Sequence, residues 1–307
     1  INTKLIECVD NCKVTYLNYN SILSLFCAPF FLWNYKKKQE IKVIQSFGLR
    51  CDIISLLVPN IFKIVVVRNL TKINWSARGW WGKVLGSLHL SLIKRFDRVV
   101  ACSDGVKAHL YKYGVNSCVI NNSVEFDSSE VNSKFGTNSF VTVSSAIPGK
   151  NIEFLLEVFS SKSFFKNRIL NIIGFVSDDM KDKYAMFDNI KFHGFVNKPK
   201  ELYNMNDVFI SASYHEGLPN AVLESLSVGT PVVLSNIVSH SSIIGSDNIV
   251  GTIFKNNDDQ SLQRAINQLE SNSCSRYDNN FVEILNKKFN PKLMAKEFSK
   301  IYRKGNS

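Results

Sequence analysis

Short β-branched runs alternate with helix-length amphipathic segments along almost the whole chain, and few folds accommodate that rhythm. In the first half, candidate strands at Lys13–Leu17, Lys42–Gln45, Lys63–Val67, Arg98–Ala101 and Cys118–Asn121 are separated by helical stretches near Ser21–Lys38, Arg50–Leu57, Trp80–Arg95 and Gly105–Tyr113. Strands that run in one direction need long crossovers, and amphipathic helices both supply them and cover the sheet faces. A polar stretch without apolar periodicity, Glu125–Ser139, breaks the pattern and reads as a linker. The rhythm then restarts with strands at Phe140–Ser144, Arg168–Ile173, Lys191–His193, Val208–Ser211, Pro231–Leu234 and Ile249–Ile253. Helices are expected at Asn151–Phe159, Lys198–Asn204, Asn220–Val228, Asp259–Ser271 and Asn279–Lys287, and a last one, Pro291–Tyr302, carries proline in its first turn. The expectation is an α/β protein of two doubly wound domains, residues 1–127 and 136–290, facing each other across a cleft. The final helix, 291–307, is expected to pack back toward the first domain.

Composition narrows the partners. Lys and Arg number 37 against 26 Asp and Glu, a formal charge of +11, which favours an anionic partner: nucleic acid, a phosphorylated substrate or an acidic membrane leaflet. Nucleic acid is set aside because no interleaved aromatic and basic strip and no recognition helix is visible. The seven cysteines are an odd number with no CxxC pair, which suits a reduced, cytoplasmic protein. Cys102 and Cys118 fall in apolar runs and are expected to be buried. The five histidines do not cluster and there is no Asp-x-Asp motif, so no metal site is expected.

In doubly wound sheets ligands sit beyond the carboxyl ends of the strands, and the densest chemical signal lies in such a place. In Ser211–Leu234 (SASYHEGLPNAVLESLSVGTPVVL) a strand enters a polar loop that ends at Gly217, Leu218, Pro219 and Asn220 and opens into a helix containing Glu224. The free N–H groups and dipole of that helix start suit a phosphate. Glu216 before the helix and Glu224 a turn inside it are placed to face one cleft mouth, where carboxylates accept hydrogen bonds from sugar hydroxyls.

The pattern Glu216-x7-Glu224 with its GLPNAVL and GTPVV context resembles family 4 retaining glycosyltransferases of the GT-B fold, a pair of Rossmann-like domains. Val141–Leu156 is similar to the first strand and loop of that family's donor domain, and Phe192–Val196, Leu202–Ile210, Phe96–Ser103 and Val119–Val124 also match in kind. The resemblance implies that Glu216 binds the donor hexose, Glu224 the ribose and Lys150 the diphosphate, with Gly217 and Leu218 as backbone donors. Pro219, Asn220 and His215 belong to the same loop, Ser145 stands where many relatives carry Arg, and Gly194 and Asn197 fall at the base-contacting loop. On the acceptor side it points to Arg68 and Asn69 after one strand and Ser46 and Gly48 after another. No metal and no cofactor is implied beyond the nucleoside-diphosphate sugar, and the acceptor is a saccharide or lipid-linked saccharide of a bacterial surface-polysaccharide pathway. No Gly-rich loop precedes Ser46 and the first residue is Ile1, so the first βα unit is expected to be missing or divergent.

Several readings stay open at this stage. Trp80–Arg95, with the Lys36–Lys38 run and the apolar Ile22–Leu32 segment, is either a core helix or part of a patch that meets the inner membrane leaflet. The eleven residues of that apolar segment are too few to span a bilayer, which takes about 20. A nucleotide-sugar epimerase, a non-catalytic nucleotide-sugar binder and a truncated transferase are the rivals to an active glycosyltransferase.

Overall fold

The computed structural model describes residues 23–71, 79–126, 136–145, 148–245, 251–271 and 279–306. A first parallel sheet takes β1 (Val43–Ser46), β2 (Phe62–Val67), β3 (Arg98–Ala101) and β4 (Cys118–Val119) in that spatial order. Its helices are α1 (Leu23–Gln39), α2 (Leu49–Leu57), α3 (Gly79–Ile93) and α4 (Asp104–Tyr111). A second, six-stranded parallel sheet has the order β10-β9-β8-β5-β6-β7. Its strands are β5 (Ser139–Ser144), β6 (Ile169–Gly174), β7 (Ile190–Gly194), β8 (Val208–Ser211), β9 (Val232–Ser235) and β10 (Gly251–Phe254). The helices around it are α5 (Ile152–Ser161), α6 (Asp178–Tyr184), α7 (Pro199–Met205), α8 (Asn220–Ser227), α9 (Val238–Ile244) and α10 (Asp259–Ser271), followed by α11 (Asn279–Phe289) and α12 (Pro291–Asn306).

Periodicity explains most of these elements. In α5, Ile152, Leu155, Leu156 and Phe159 recur at helical spacing and all are buried, and Leu262, Ala265, Ile266 and Leu269 do the same in α10. β8 and β9 are buried along their full length, as strands covered by helices on both faces must be. The strand expected at Lys13–Leu17 lies outside the described residues. Helices α6 and α9, of seven residues each, were not anticipated, although the equally short α7 was expected at Lys198–Asn204.

Cys118 departs from expectation. It is exposed, whereas Cys102 is fully buried, because β4 is a two-residue edge strand paired with β3 alone.

The cores of the two sheets are not separate. One apolar cluster joins Val65 and Val67 of β2, Val106 of α4, Val141 of β5, Leu218, Val222 of α8 and Ile243 of α9. Another runs under the outer face of the second sheet through Phe140, Phe159, Phe165 and Ile266. The last helix, α12, lays Met294, Phe298, Ile301 and Tyr302 on Ile64, Val66, Val100 and Ile120 of the first sheet, and the Tyr302 hydroxyl donates to Gln45 Oε1 at 2.8 Å. Truncating Phe298 to Ala removes a half-buried ring from this contact and is expected to cost about 2 kcal/mol, read as a lower urea midpoint with an unchanged m-value.

Candidate active site

The second sheet is wound outward from β5 in both directions, through β6 and β7 on one side and β8, β9 and β10 on the other. The loops after β5 and β8 therefore leave the sheet in opposite directions and open a crevice between them, the place where such sheets bind ligands. Lys150, at the end of a 3₁₀ turn (Pro148–Lys150), comes from the β5 side. Glu216 comes from the β8 side. They meet there: Lys150 Nζ donates to Glu216 Oε1 at 2.5 Å, with side chains 27% and 15% exposed. The Tyr214 N–H bonds to the Gly149 carbonyl at 2.9 Å and ties the loops together. His215 packs so closely on Gly149 that a Cβ there would stand 2.8 Å from the imidazole ring. Burial lowers the His215 pKa, with Lys150 adding to the effect and Glu216 opposing it.

Beneath the pair runs a chain of hydroxyls. Ser213 Oγ donates to Glu216 Oε1 at 2.9 Å, and Ser235 Oγ at the end of β9 donates to the Ser213 carbonyl at 2.7 Å. His240 of α9, fully buried, lies 3.0 Å by Nδ1 from the Ser235 carbonyl. That carbonyl can only accept, so Nδ1 carries the proton. Burial pushes the pKa of His240 down to about 4.

The first sheet closes the crevice from the other side. Arg68 and Asn69 follow β2, and Gly217 rests on their backbone so tightly that a Cβ would fall 1.9 Å from the Arg68 carbonyl oxygen. No residue but glycine fits. Ser103 Oγ, which also caps α4, donates to the Gly217 carbonyl at 2.6 Å, and Asn122 Nδ2 donates to Asn220 Oδ1 at 2.8 Å. The resulting space, about 110 Å³, is lined by Arg68, Asn69, Leu70, Ser145, Gly149, Lys150 and His215–Leu218. A space of about 430 Å³ shares Ser145 and Lys150 with it and is lined further by Asn151, Phe175, Val176, Ser177, Met180 and Tyr214. Ser145 Oγ is buried without a partner at their junction.

Of the residues expected from sequence, Lys150, Glu216, His215, Gly217, Leu218, Ser145, Arg68 and Asn69 thus come together. Pro219 stands at the N-cap of α8, and Asn220 turns to the first sheet. Glu224 does not line either space. It is half-buried on α8, where its carboxylate accepts from the Tyr203 hydroxyl; burial first, and this bond and charge second, hold the Tyr203 pKa far above its ordinary value. Gly194, with φ +64°, ends β7, exposed Asn197 follows it, and neither lines either space. Gly48, φ +83°, caps α2. Ser46 is buried, its hydroxyl committed to Asp52. Ser103 was expected at the cleft end of its strand and His240 as a surface or core position, whereas Asn122, Tyr203, Ser213 and Ser235 were not singled out from sequence. The only signal for them is position, since most are polar residues at or just past the carboxyl ends of strands.

Two parallel sheets meeting at a basic, loop-lined crevice define a GT-B architecture, and the comparisons agree. Sucrose-phosphate synthase from Thermosynechococcus elongatus superposes with a TM-score of 0.75 at 15% identity, over 94% of this chain and 80% of that one. HepE of Anabaena, solved with UDP-glucose, gives 0.76 at 14% identity over 93% and 84%. Residues 123–287, more than half the chain, match the family model described as glycosyl transferases group 1, and the chain belongs to that family. Among curated relatives, the capsular polysaccharide biosynthesis glycosyltransferase CapH of Staphylococcus aureus is 32% identical over 40% of this chain and 38% of its own length. The O-antigen chain mannosyltransferase RfbU of Salmonella typhimurium is 28% identical over 61% and 55%. The matches thus span less than two thirds of either relative.

His240 supplies a test of the buried chain. Its folded pKa is depressed, so the unfolded state binds the proton first as pH falls. Stability from this group is complete above about pH 6.5 and is lost toward pH 4, at about 1.4 kcal/mol per pH unit. Replacing His240 with Asn keeps an N–H donor for Ser235 and removes the titration. The variant is expected to lose about 2 kcal/mol less than the parent between pH 7 and pH 5 in urea unfolding.

Proposed function

We propose that the chain transfers a hexose-type sugar from a nucleoside diphosphate to an acceptor hydroxyl with retention of configuration, in the manner of family 4 glycosyltransferases. Residues 136–290 hold the donor and residues 1–127 the acceptor. The observation that carries this reading is the Lys150–Glu216 pair at the switch point of the second sheet, facing Arg68 from the first. Before donor arrives, the ammonium and carboxylate neutralise one another. A diphosphate competes for Lys150, and its charge is shared with Arg68 and the α8 N-terminus; these groups are preorganised for the charge that builds on the leaving phosphate. Glu216, released from Lys150 and still held by Ser213, then accepts hydrogen bonds from sugar hydroxyls. The anomeric carbon–phosphate oxygen bond breaks as the acceptor oxygen bonds to the same face, and the acceptor proton passes to a phosphate oxygen. This route needs no protein base and assigns no role to a metal.

HepE, solved with UDP-glucose, supports a nucleotide-sugar donor, and CapH and RfbU, of capsular polysaccharide and O-antigen synthesis, support a saccharide acceptor, which we propose to be lipid-linked. A panel of UDP- and GDP-sugars, followed by release of nucleoside diphosphate in the presence of EDTA, tests the reading. One donor is expected to turn over with EDTA present. Glu216→Ala is expected to keep the folded circular dichroism spectrum and lose at least a hundredfold in rate, and Lys150→Ala to weaken nucleoside diphosphate binding about tenfold, roughly 1.4 kcal/mol. Unchanged turnover in Glu216→Ala overturns the assignment.

A peripheral site on the inner leaflet is part of the proposal. Trp80 and Trp81, 66% and 70% exposed, form an exposed face of α3 with Val84 and Leu88, and Lys36–Lys38 end α1, where Lys37 lies over the Trp33 ring at 3.9 Å. Aromatic and basic groups so arranged suit an anionic interface. No described helix is long and apolar enough to cross a membrane. Cosedimentation with phosphatidylglycerol vesicles is expected, and to fall at least fivefold in Trp80→Ala/Trp81→Ala; equal sedimentation of the double variant rejects this surface.

A further inference from the structure

A buried polar chain lies on the acceptor side of the cleft, away from the residues assigned to the donor. Ser46 Oγ, at the end of β1, donates to Asp52 Oδ1 at 2.6 Å. His89 Nε2, reaching over from α3, lies 2.7 Å from Asp52 Oδ2. Asp52 has no exposed surface, Ser46 3% and His89 7%. A carboxylate only accepts, so both neighbours donate to it and the His89 proton on this side sits on Nε2. Its other nitrogen is buried without a partner.

Burying a carboxylate is costly, and two hydrogen bonds offset only part of that. A purely structural tie between two helices and a strand end could be made of apolar side chains at lower cost. The next residue gives the chain a use. Phe47 follows Ser46 directly, and its ring carries the Arg68 guanidinium at 4.5 Å. Gly48, at φ +83°, then turns the chain into α2, and the Asp52 N–H closes that turn on the Gly48 carbonyl at 2.9 Å. Asp52 thus fixes both ends of a three-residue hinge that carries the ring. Arg68 in turn lines the space that contains Lys150 and Glu216.

We propose that Asp52 and His89 are positioning residues: through Ser46 they hold the Phe47 ring under the Arg68 guanidinium, so that Arg68 is presented to the diphosphate of the donor. The inference rests on the glycosyltransferase reading for its ligand, though not for its geometry. Arginine has many rotamers, and a stacked, oriented guanidinium loses less freedom on meeting a phosphate than a free one.

The test uses the full chain. In ¹³C,¹⁵N spectra the Arg68 side-chain protons are expected to be shifted upfield by the Phe47 ring current. His89→Phe keeps an aromatic of similar size but removes the donor. It is expected to abolish that shift and to weaken UDP or GDP binding three- to fivefold by calorimetry, the scale of an exposed cation–π contact. His89→Gln, which returns an N–H donor, is expected to restore both. Phe47→Leu is expected to match His89→Phe, and the double variant to be no weaker than either alone. An unaltered Arg68 shift in His89→Phe, or additive losses in the double variant, overturns the proposal even if the melting temperature falls. If the parent chain binds neither UDP nor GDP, the donor reading fails, and the Arg68 shift still decides whether the hinge holds the ring.

Discussion

The ion pair between Lys150 and Glu216 depends on a property of the whole second sheet. Where the winding direction reverses, between β5 and β8, the loops that follow neighbouring strands part and leave a gap. A lysine and a glutamate from opposite sides of that gap are within 2.5 Å of each other, mostly out of water. Each offsets the charge of the other where either alone would be costly to bury. The pair is therefore a stable resting arrangement and also a fragile one, since any dianion entering the space offers Lys150 a better partner. The hydroxyl chain through Ser213 and Ser235 matters for this reason: on the proposed mechanism it holds Glu216 in place when the lysine departs.

Much of the fold was legible in the sequence because its elements are long enough to show a period. The αβ alternation and the amphipathic last helix rest on apolar residues recurring at two or nearly four residues. The parts that were not legible lack such a signal. α6 has five charged residues among seven and α9 three serines, so neither shows an apolar stripe, and the exposure of Cys118 depends on which strand ends the sheet, a fact of topology. The site divides in the same way. Glu216, Lys150 and the GLPN turn were visible as motif and resemblance. The distance of Glu224 from that pocket was not, because a helix position fixes an angle around the axis and says nothing of what fills the space opposite. Nor was the burial of Ser46 visible: as the last residue of β1 it turns inward to Asp52, and the next residue, Phe47, meets Arg68.

The contacts between the two halves are polar and backbone-directed at the crevice, apolar beneath it. Ser103, Asn122 and the Arg68 carbonyl all meet the Gly217–Asn220 turn. The loop proposed to bind the donor is thereby also the loop that the other half grips, so on that proposal filling the site and tightening the gap involve the same few atoms. Gly217 is the narrowest point of this arrangement, as its missing side chain is the space the neighbouring carbonyl occupies.

The shared apolar cluster has a consequence for how the molecule comes apart. Val65, Val67 and Val106 lie in one continuous body with Val141, Leu218 and Ile243, so severing the halves would lay bare oily surface on both. Each half keeps some interior of its own, but the shared cluster is completed only when the two are together. Heat should therefore melt them together, in a single calorimetric peak, and a fragment cut at the connecting stretch would be prone to clump in the test tube.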